Sequence, residues 1–400
     1  MTNNKRETIS VENTAFPIFR LLIITAALFL SILTEALPAG FLYYIGESFS
    51  VTQPQAGQWV TVYAIGSLLS AIPLTLVTQH WSRKTLLLLT LAGFTISNGL
   101  NSVVDSFPVT LVTRFLSGIS AGLLWALAAG YASRMVSPER QGRAITIVMT
   151  GVPLALSLGV PVGTFLGDLY GWRTVFYIIT ALSSLLFITG VYFLPEQAGV
   201  RQTTKISVSS VIALTGMRTV FCTTFLFSLG HNMMYTYISP YLQQIPKPGI
   251  ISVFLLIFGI MAVISIFAVG IFIDNHLRRL ILIGLSIFIS SSLILFLSKE
   301  SVYLVFLSAA LWGLGFGGGA TLFQTASART SGDAADIAQS LMVTIWNIAI
   351  AGGGLLGGGL LSLFDVHILP VTLCVMLVLC FILVKASTAR GLSNSINQRE

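Results

Sequence analysis

Apolar runs separated by short polar gaps recur along the whole chain, at 18–45, 55–79, 84–104, 108–131, 143–167, 173–194, 218–243, 250–273, 279–298, 301–325, 336–362 and 368–388. Each run supplies the about 20 residues with which an α-helix crosses a hydrocarbon core of roughly 30 Å. The short alternating strands of a membrane β-barrel are not what these long runs resemble. The pattern therefore predicts an all-α membrane protein of twelve transmembrane helices. The first run continues through Glu35 and Pro38 without a small-residue cleavage site, so it reads as a span and not a removable signal.

The longest polar stretch falls between the sixth and seventh runs and divides the chain into a six-helix bundle at 1–194, a cytoplasmic linker at 195–217 and a second six-helix bundle at 218–400. A weak repeat supports two pseudo-symmetric halves: Arg83-Lys84 before four residues rich in Leu matches Arg278-Arg279 before another such four, and Glu35-Ala36-Leu37-Pro38 faces Tyr237-Ile238-Ser239-Pro240. Two parallel halves are what a rocking transporter requires, with one site between them opened to each side in turn.

Composition narrows the class. Apolar residues make up 55% of the chain and charged residues 9%, against about 25% charged in a soluble domain. Twelve spans take about 240 residues and leave about 160 for loops and tails. No receptor ectodomain, kinase or ATPase module of usual size fits in that remainder. The net charge of +7 is distributed unevenly: of 21 Lys and Arg, 17 lie in the two tails and the even-numbered gaps. That asymmetry places both termini and the linker in the cytoplasm and the protein in the cell inner (plasma) membrane, with no need for nucleic acid as a partner. Cys222, Cys374 and Cys380 lie in apolar runs without paired spacing and read as buried small hydrophobes.

Two ionisable groups, Glu35 and Arg114, lie within spans away from their ends. Counted at about 1.5 Å per residue they reach similar depths, so mutual pairing is expected. Glu35 is then either a proton or cationic-substrate acceptor, or half of a permanent ion pair locking the first helix to the fourth. His231, beside Asn232, sits near the same depth and is either a satisfied hydrogen-bonding group or a proton shuttle, with Asp168 as a further candidate carrier. Tyr235, Tyr237, Trp312, Trp346 and Asn347 supply polar-tipped surface for a solute cavity. Trp59, Tyr63 and Trp172, near span ends, read as interfacial anchors. The clusters Gly313 to Gly317 and Gly352 to Gly359 lack a phosphate-reaching Lys and read as tight packing. No Ser-His-Asp order, carboxylate pair or metal-ligand spacing points to an enzyme, a metal or a cofactor.

Several motifs resemble those of the major facilitator superfamily over nearly the whole length. The second gap and its flanks resemble an altered copy of the family's loop motif, with Thr75 and Gln79 in place of Gly and Asp but Arg83 and Lys84 kept; Gly270, Asp274, Arg278 and Arg279 form a better copy in the second half. The resemblance implies an Asp pairing with the basic start of the next helix as a cytoplasmic latch. Arg114, Gly118 and Gly122 resemble the family's buried-arginine motif, and Gly151, Pro153, Gly159, Pro161, Gly163 and Gly167 the glycine-proline motif of proton-driven exporters. Gly171-Trp172-Arg173 and Thr236 to Pro240 are similar to the twelve-helix drug and sugar efflux branch, which includes arabinose and nucleoside exporters. The implied function is proton-coupled efflux of a sugar, nucleoside or drug-like solute by a monomer in the lipid bilayer. A proton-solute importer and a transport-inactive membrane sensor are the alternatives.

Overall fold

The computed structural model describes residues 16–387, apart from 79, 138–139, 199–207, 246, 248, 299–300 and 332–333. Gln79 and Arg201 thus lie outside the described residues. The first half contains α1 (Ile18–Phe49), α2 (Gln53–Val77), α3 (Arg83–Val103), α4 (Phe107–Ser133), α5 (Gln141–Met149), α6 (Gly151–Leu154), α7 (Val160–Tyr170) and α8 (Trp172–Phe193). After α9 (Val208–Ile212), the second contains α10 (Met217–Thr236), α11 (Ile238–Leu242), α12 (Ile250–Leu297), α13 (Val302–Gly317), α14 (Gly319–Ser331), α15 (Ala335–Leu363) and α16 (Ile368–Ala386).

Among the described residues nine helical runs are long and apolar enough to cross a membrane. One of them, α12, holds 48 residues, about 72 Å if straight and more than two core thicknesses. It bends at His276, whose φ of −130° and ψ of 26° are not helical, so it contains the two predicted spans 250–273 and 279–298 on either side of a corner. The α2 and α10–α11 runs have span length but more polar residues, and with them the chain crosses twelve times. We call the side where α1 starts and α16 ends the tail face, and the side of the α1–α2 turn the far face.

Local sequence explains the breaks. Ser50 closes α1 in the left-handed region at φ 51°, and Thr52 opens α2 with a reciprocal capping box to Gln55. Gly171 turns α7 into α8 at φ 84°, a conformation costly for any residue with a Cβ. The fifth span is interrupted by a π-helical turn over Ala155–Gly159, where Val160 N–H reaches back to Ala155 O. Pro161 follows directly; lacking an N–H, it cannot take up the Ser157 carbonyl, and the wide turn results.

The halves are built by close backbone approach. On the fifth span Gly159 faces Phe29 and Leu33 of α1, Gly163 faces Leu37 and Gly167 faces Phe41; a Cβ on Gly163 would stand 2.6 Å from Leu37 Cδ2. Gly118 and Gly122 of α4 lie instead against the backbone of α2, and Gly313 and Gly317 of α13 against that of α12. These are packing glycines, as expected of small residues between membrane helices. By contrast, a Cβ on Gly270 would meet nothing within 4 Å.

Three expectations change. Trp59, Tyr63 and Trp172 are not interfacial anchors: they are 0%, 1% and 5% exposed, and the two Trp rings meet edge to face at 5.5 Å within a cluster that includes Phe49 and Phe176. The far ends of four helices converge there, which takes these rings away from lipid. Cys380 is buried, whereas Cys222 is exposed. Asp274 pairs at 3.8 Å with Arg329 of α14, which also donates to the Asp274 carbonyl, while Arg278 donates to Lys385 O. The second-half latch therefore crosses to another helix and does not close on its own loop. In the first half Arg83 N–H donates to Gln197 O and Ser82 Oγ to Glu196, tying the α2–α3 turn, where Lys84 also lies, to the chain after α8.

A corner at His276 predicts that, in a variant with the native cysteines replaced, a cysteine at 276 reacts with an impermeant maleimide from one face and cysteines at 247 and 303 from the other. Reaction of all three from one face would remove the corner.

Candidate functional site

A cavity of about 140 Å³ lies between the halves at mid-depth. From the first half it takes Ile32, Glu35, Ala36 and Ala39 of α1, Val60 of α2 and Leu156 of the π turn; from the second, His231, Asn232, Tyr235 and Thr236 of α10, with Phe258, Phe316, Trp346 and Ile350. Glu35 is the first half's ionisable contribution. The second half offers aromatic faces and hydrogen-bonding tips. Trp312 donates through Nε1 to His231 Nδ1 at 3.0 Å, and the imidazole stacks on Phe316 at 3.4 Å with the planes 7° apart. An Nδ1 that accepts a hydrogen bond carries no proton, so a neutral ring presents its N–H at Nε2. Among the described residues the buried Trp346 Nε1–H has no hydrogen-bond partner, a state that costs roughly 1–3 kcal/mol.

Arg114 is wholly buried beside this cavity but does not bridge to Glu35. Its Nη1 donates to Thr34 O at 2.6 Å and its Nε to Trp59 O at 3.0 Å, and the guanidinium lies 4.7 Å from the Tyr63 ring centroid. The expected contact pair is corrected by Pro38. In an α-helix the carbonyl of residue 34 bonds the N–H of residue 38, and proline has none. The freed carbonyl, turned towards α4, is the nearest strong acceptor. Glu35, one residue on and about 100° further round the helix, projects into the cavity instead and acts on Arg114 through space. Asn98 of α3 donates to Thr34 Oγ1 at 3.2 Å, so this one residue ties α1 to both α3 and α4.

Of the residues singled out from sequence, Glu35, His231, Tyr235 and Trp346 share the cavity wall. Tyr237, Trp312 and Asn347 do not. Tyr237 is buried with its hydroxyl donating to Gly354 O and its ring pressed on Gly57 of the other half, so it seals the halves together. Trp312 orients His231 from behind, and Asn347 donates to Val343 O of its own helix. Leu156, Phe258 and Phe316 also line the cavity without a sequence feature that singles them out, apart from the place of Phe316 as a lone aromatic among the glycines 313–319, and Thr236 of the Thr236 to Pro240 motif joins them. Among the described residues no group of three or more His, Cys, Asp or Glu is placed to hold a metal.

The halves meet at mid-depth and at their far ends: α2 runs along α15, where Thr61 Oγ1 donates to Ala351 O at 3.4 Å, α1 touches α11, and Gly259 of α12 lies directly on Ser157 and Leu156 of the π turn. Two helical halves around a central cavity, closed at one face, define a membrane carrier of the alternating-access class. The sequence profile of the Major Facilitator Superfamily matches residues 24–245 and 220–399, and the chain belongs to that family of transporters, which are not enzymes. It is 27% identical over 344 residues to a "Probable sugar efflux transporter" of Helicobacter pylori, covering 86% of this chain and 88% of that one, and 26% identical over 342 residues to its namesake in Helicobacter acinonychis. The fold matches the nucleoside transporter NupG with a TM-score of 0.76 at 14% identity, covering 92% of this chain and 98% of that one. A bacterial homologue of the human lysosomal transporter Spinster, inward-facing and occupied, matches at 0.72 and 16%, covering 92% and 96%.

The Arg114 arrangement predicts a coupling. In Arg114→Met the Thr34 carbonyl loses its donor; adding Pro38→Ala restores the intrahelical N–H. Pro38→Ala should therefore stabilise the Arg114→Met protein by about 0.5–1.5 kcal/mol more than it does the wild type, read as thermal unfolding in detergent. Equal effects in both backgrounds would show that the carbonyl is not shared between them.

Proposed function

We propose that the protein exports a small polyhydroxylated solute, of the sugar class, in exchange for protons. The observation that carries this reading is the division of labour across the central cavity: one ionisable carboxylate, Glu35, on the first half faces aromatic surfaces and the hydrogen-bonding residues His231 and Asn232 on the second. A sugar presents hydroxyl oxygens to N–H donors and an apolar ring face to aromatic side chains. The cavity of about 140 Å³ is below the roughly 300–1,000 Å³ of pockets that hold drug-sized ligands, which favours a small solute over a bulky drug or nucleoside. The sugar efflux relatives support the same class and direction.

In the proposed cycle, residues 1–194 and 218–400 rock about the contact of Gly259 with Ser157, the linker following without a transport role. The tails and linker face the cytoplasm, on the basic-residue distribution, so the closed far face is external and the state described loads from inside. Glu35 binds solute or proton, not both: the ionised carboxylate accepts solute hydroxyls, and protonation removes that acceptor strength. Arg114, held by Thr34 and Trp59, supplies a fixed positive field beside it. His231 serves as a hydrogen-bonding wall group, because taking a proton at Nδ1 would break its bond from Trp312. Gly159, Pro161 and Gly163 set the bent fifth span against α1, and the protein works as a monomer.

Efflux of labelled sugars from energised membrane vesicles over pH 5.5–8.5, with and without a protonophore and scaled to protein amount, tests the coupling. Wild-type efflux should collapse with the protonophore. Glu35→Gln, alike in shape but not ionisable, should retain exchange of solute down its own gradient while losing at least about tenfold of the pH-driven component, equivalent to about 1.4 kcal/mol. Wild-type efflux indifferent to the protonophore would end the antiport reading, and normal coupling in Glu35→Gln would move the proton to another group.

A further inference from the structure

A second, larger hollow of about 290 Å³ opens at the far face, lined by Tyr44, Asp168, Gln243, Lys247 and the start of α12 at Ile250 and Ile251. Its walls continue four of the segments that line the central cavity. Tyr44 lies nine residues beyond Glu35 on α1, Asp168 twelve beyond Leu156 along the fifth span, and Ile251 seven before Phe258 on α12, or about 13, 18 and 10 Å along the respective helices; Gln243 follows α11, which continues α10. The hollows are stacked on one axis, separated by an apolar layer that includes the buried Leu42, Ile238, Leu242 and Phe254. Any solute passing between the halves must cross that layer and arrive among Tyr44, Asp168, Gln243 and Lys247.

The chemistry there is unlike that of the layer beneath. Tyr44 and Asp168 of the first half and Gln243 of the second line the hollow together, so its polar wall spans both halves. The Lys247 ammonium is positioned over the Phe306 ring, 5.1 Å from its centroid. A carboxylate, a phenol and an amide on one wall, with the lysine beside them, offer both donors and acceptors, the pattern that adjacent hydroxyl groups satisfy. We infer that this hollow is a second solute site, an external vestibule in which the hydroxyls of a polyhydroxylated solute hydrogen-bond to Tyr44, Asp168 and Gln243 as it leaves. The inference rests on the sugar-class reading for its ligand, but its location is independent of which residue carries the proton.

Lys247 reports on the site without transport. The intact protein in nanodiscs is acetylated with an impermeant N-hydroxysuccinimide ester at rising arabinose concentration, with glycine betaine, which has no hydroxyl, as control, and modification is followed by mass spectrometry at Lys247, Lys84 and Lys385. Arabinose should slow acetylation of Lys247 roughly tenfold when it stands at about ten times its dissociation constant, and leave Lys84 and Lys385 unchanged. Asp168→Asn and Gln243→Ala should abolish this protection; Trp346→Phe, which alters only the central cavity, should keep it. Absence of protection in the wild type, protection by glycine betaine alike, or protection that survives Asp168→Asn would overturn the vestibule. Loss of protection in Trp346→Phe would also overturn it as a separate site. Protection at Lys247 in a protein that transports no sugar would instead leave the vestibule standing and remove the central-cavity reading.

Discussion

The contact on which the first half depends is the hydrogen bond from Arg114 to the carbonyl of Thr34. It joins two features that would each be costly alone in lipid: a proline that strands a carbonyl in the middle of α1, and a guanidinium buried 0% exposed in α4. Each answers the other. The carbonyls of Thr34 and Trp59 and the Tyr63 ring face seat the cation through Nη1 and Nε, while Nη2 has no hydrogen-bond partner among the described residues. Glu35 is left free to face the cavity. Had Arg114 spent its donors on Glu35, that carboxylate would be clamped in a permanent pair.

The same economy of backbone recurs at the fifth span. Pro161 and the glycines around it produce a π turn that is touched from one side by α1, through Gly159, and from the other by Gly259 of the opposite half. A turn that approaches α12 without intervening side-chain bulk gives the halves a contact at mid-depth with little to interlock. Further out, Tyr237 against Gly57 and Thr61 against Ala351 close the far end. The cavity sits just on the tail side of that closure, and its polar groups come unequally from the halves, so motion of one half past the other separates carboxylate from N–H donors.

Much of the candidate site is legible in the residues alone. Glu35 stands out because a carboxylate deep in a span is expensive, His231 because it shares that depth, and the glycine-proline series because membrane helices need small residues where they touch. The geometry of Arg114 was open to the same reasoning, since a proline at 38 leaves a carbonyl at 34, but counting depth alone paired the two charges. Tyr237, Trp312 and Asn347 share depth and type with Tyr235 and Trp346, and no period in the sequence separates those that face the cavity from those that face a neighbouring helix.

The sequence by itself determined how many times the chain crosses, where its helices break and which residues could not tolerate lipid, because span length, proline chemistry and the cost of burying charge are properties of the residues and the solvent. Even the corner at His276 lies in the expected gap between two spans. What the tertiary structure alone decided is partnership. Which carbonyl receives Arg114, which helix supplies the Arg for Asp274, which ring backs His231 and which aromatics are buried against one another at the far end depend on the rotation of each helix about its axis. In a bundle apolar both inside and out, hydrophobic pattern does not set that rotation, and close packing and a handful of buried hydrogen bonds do.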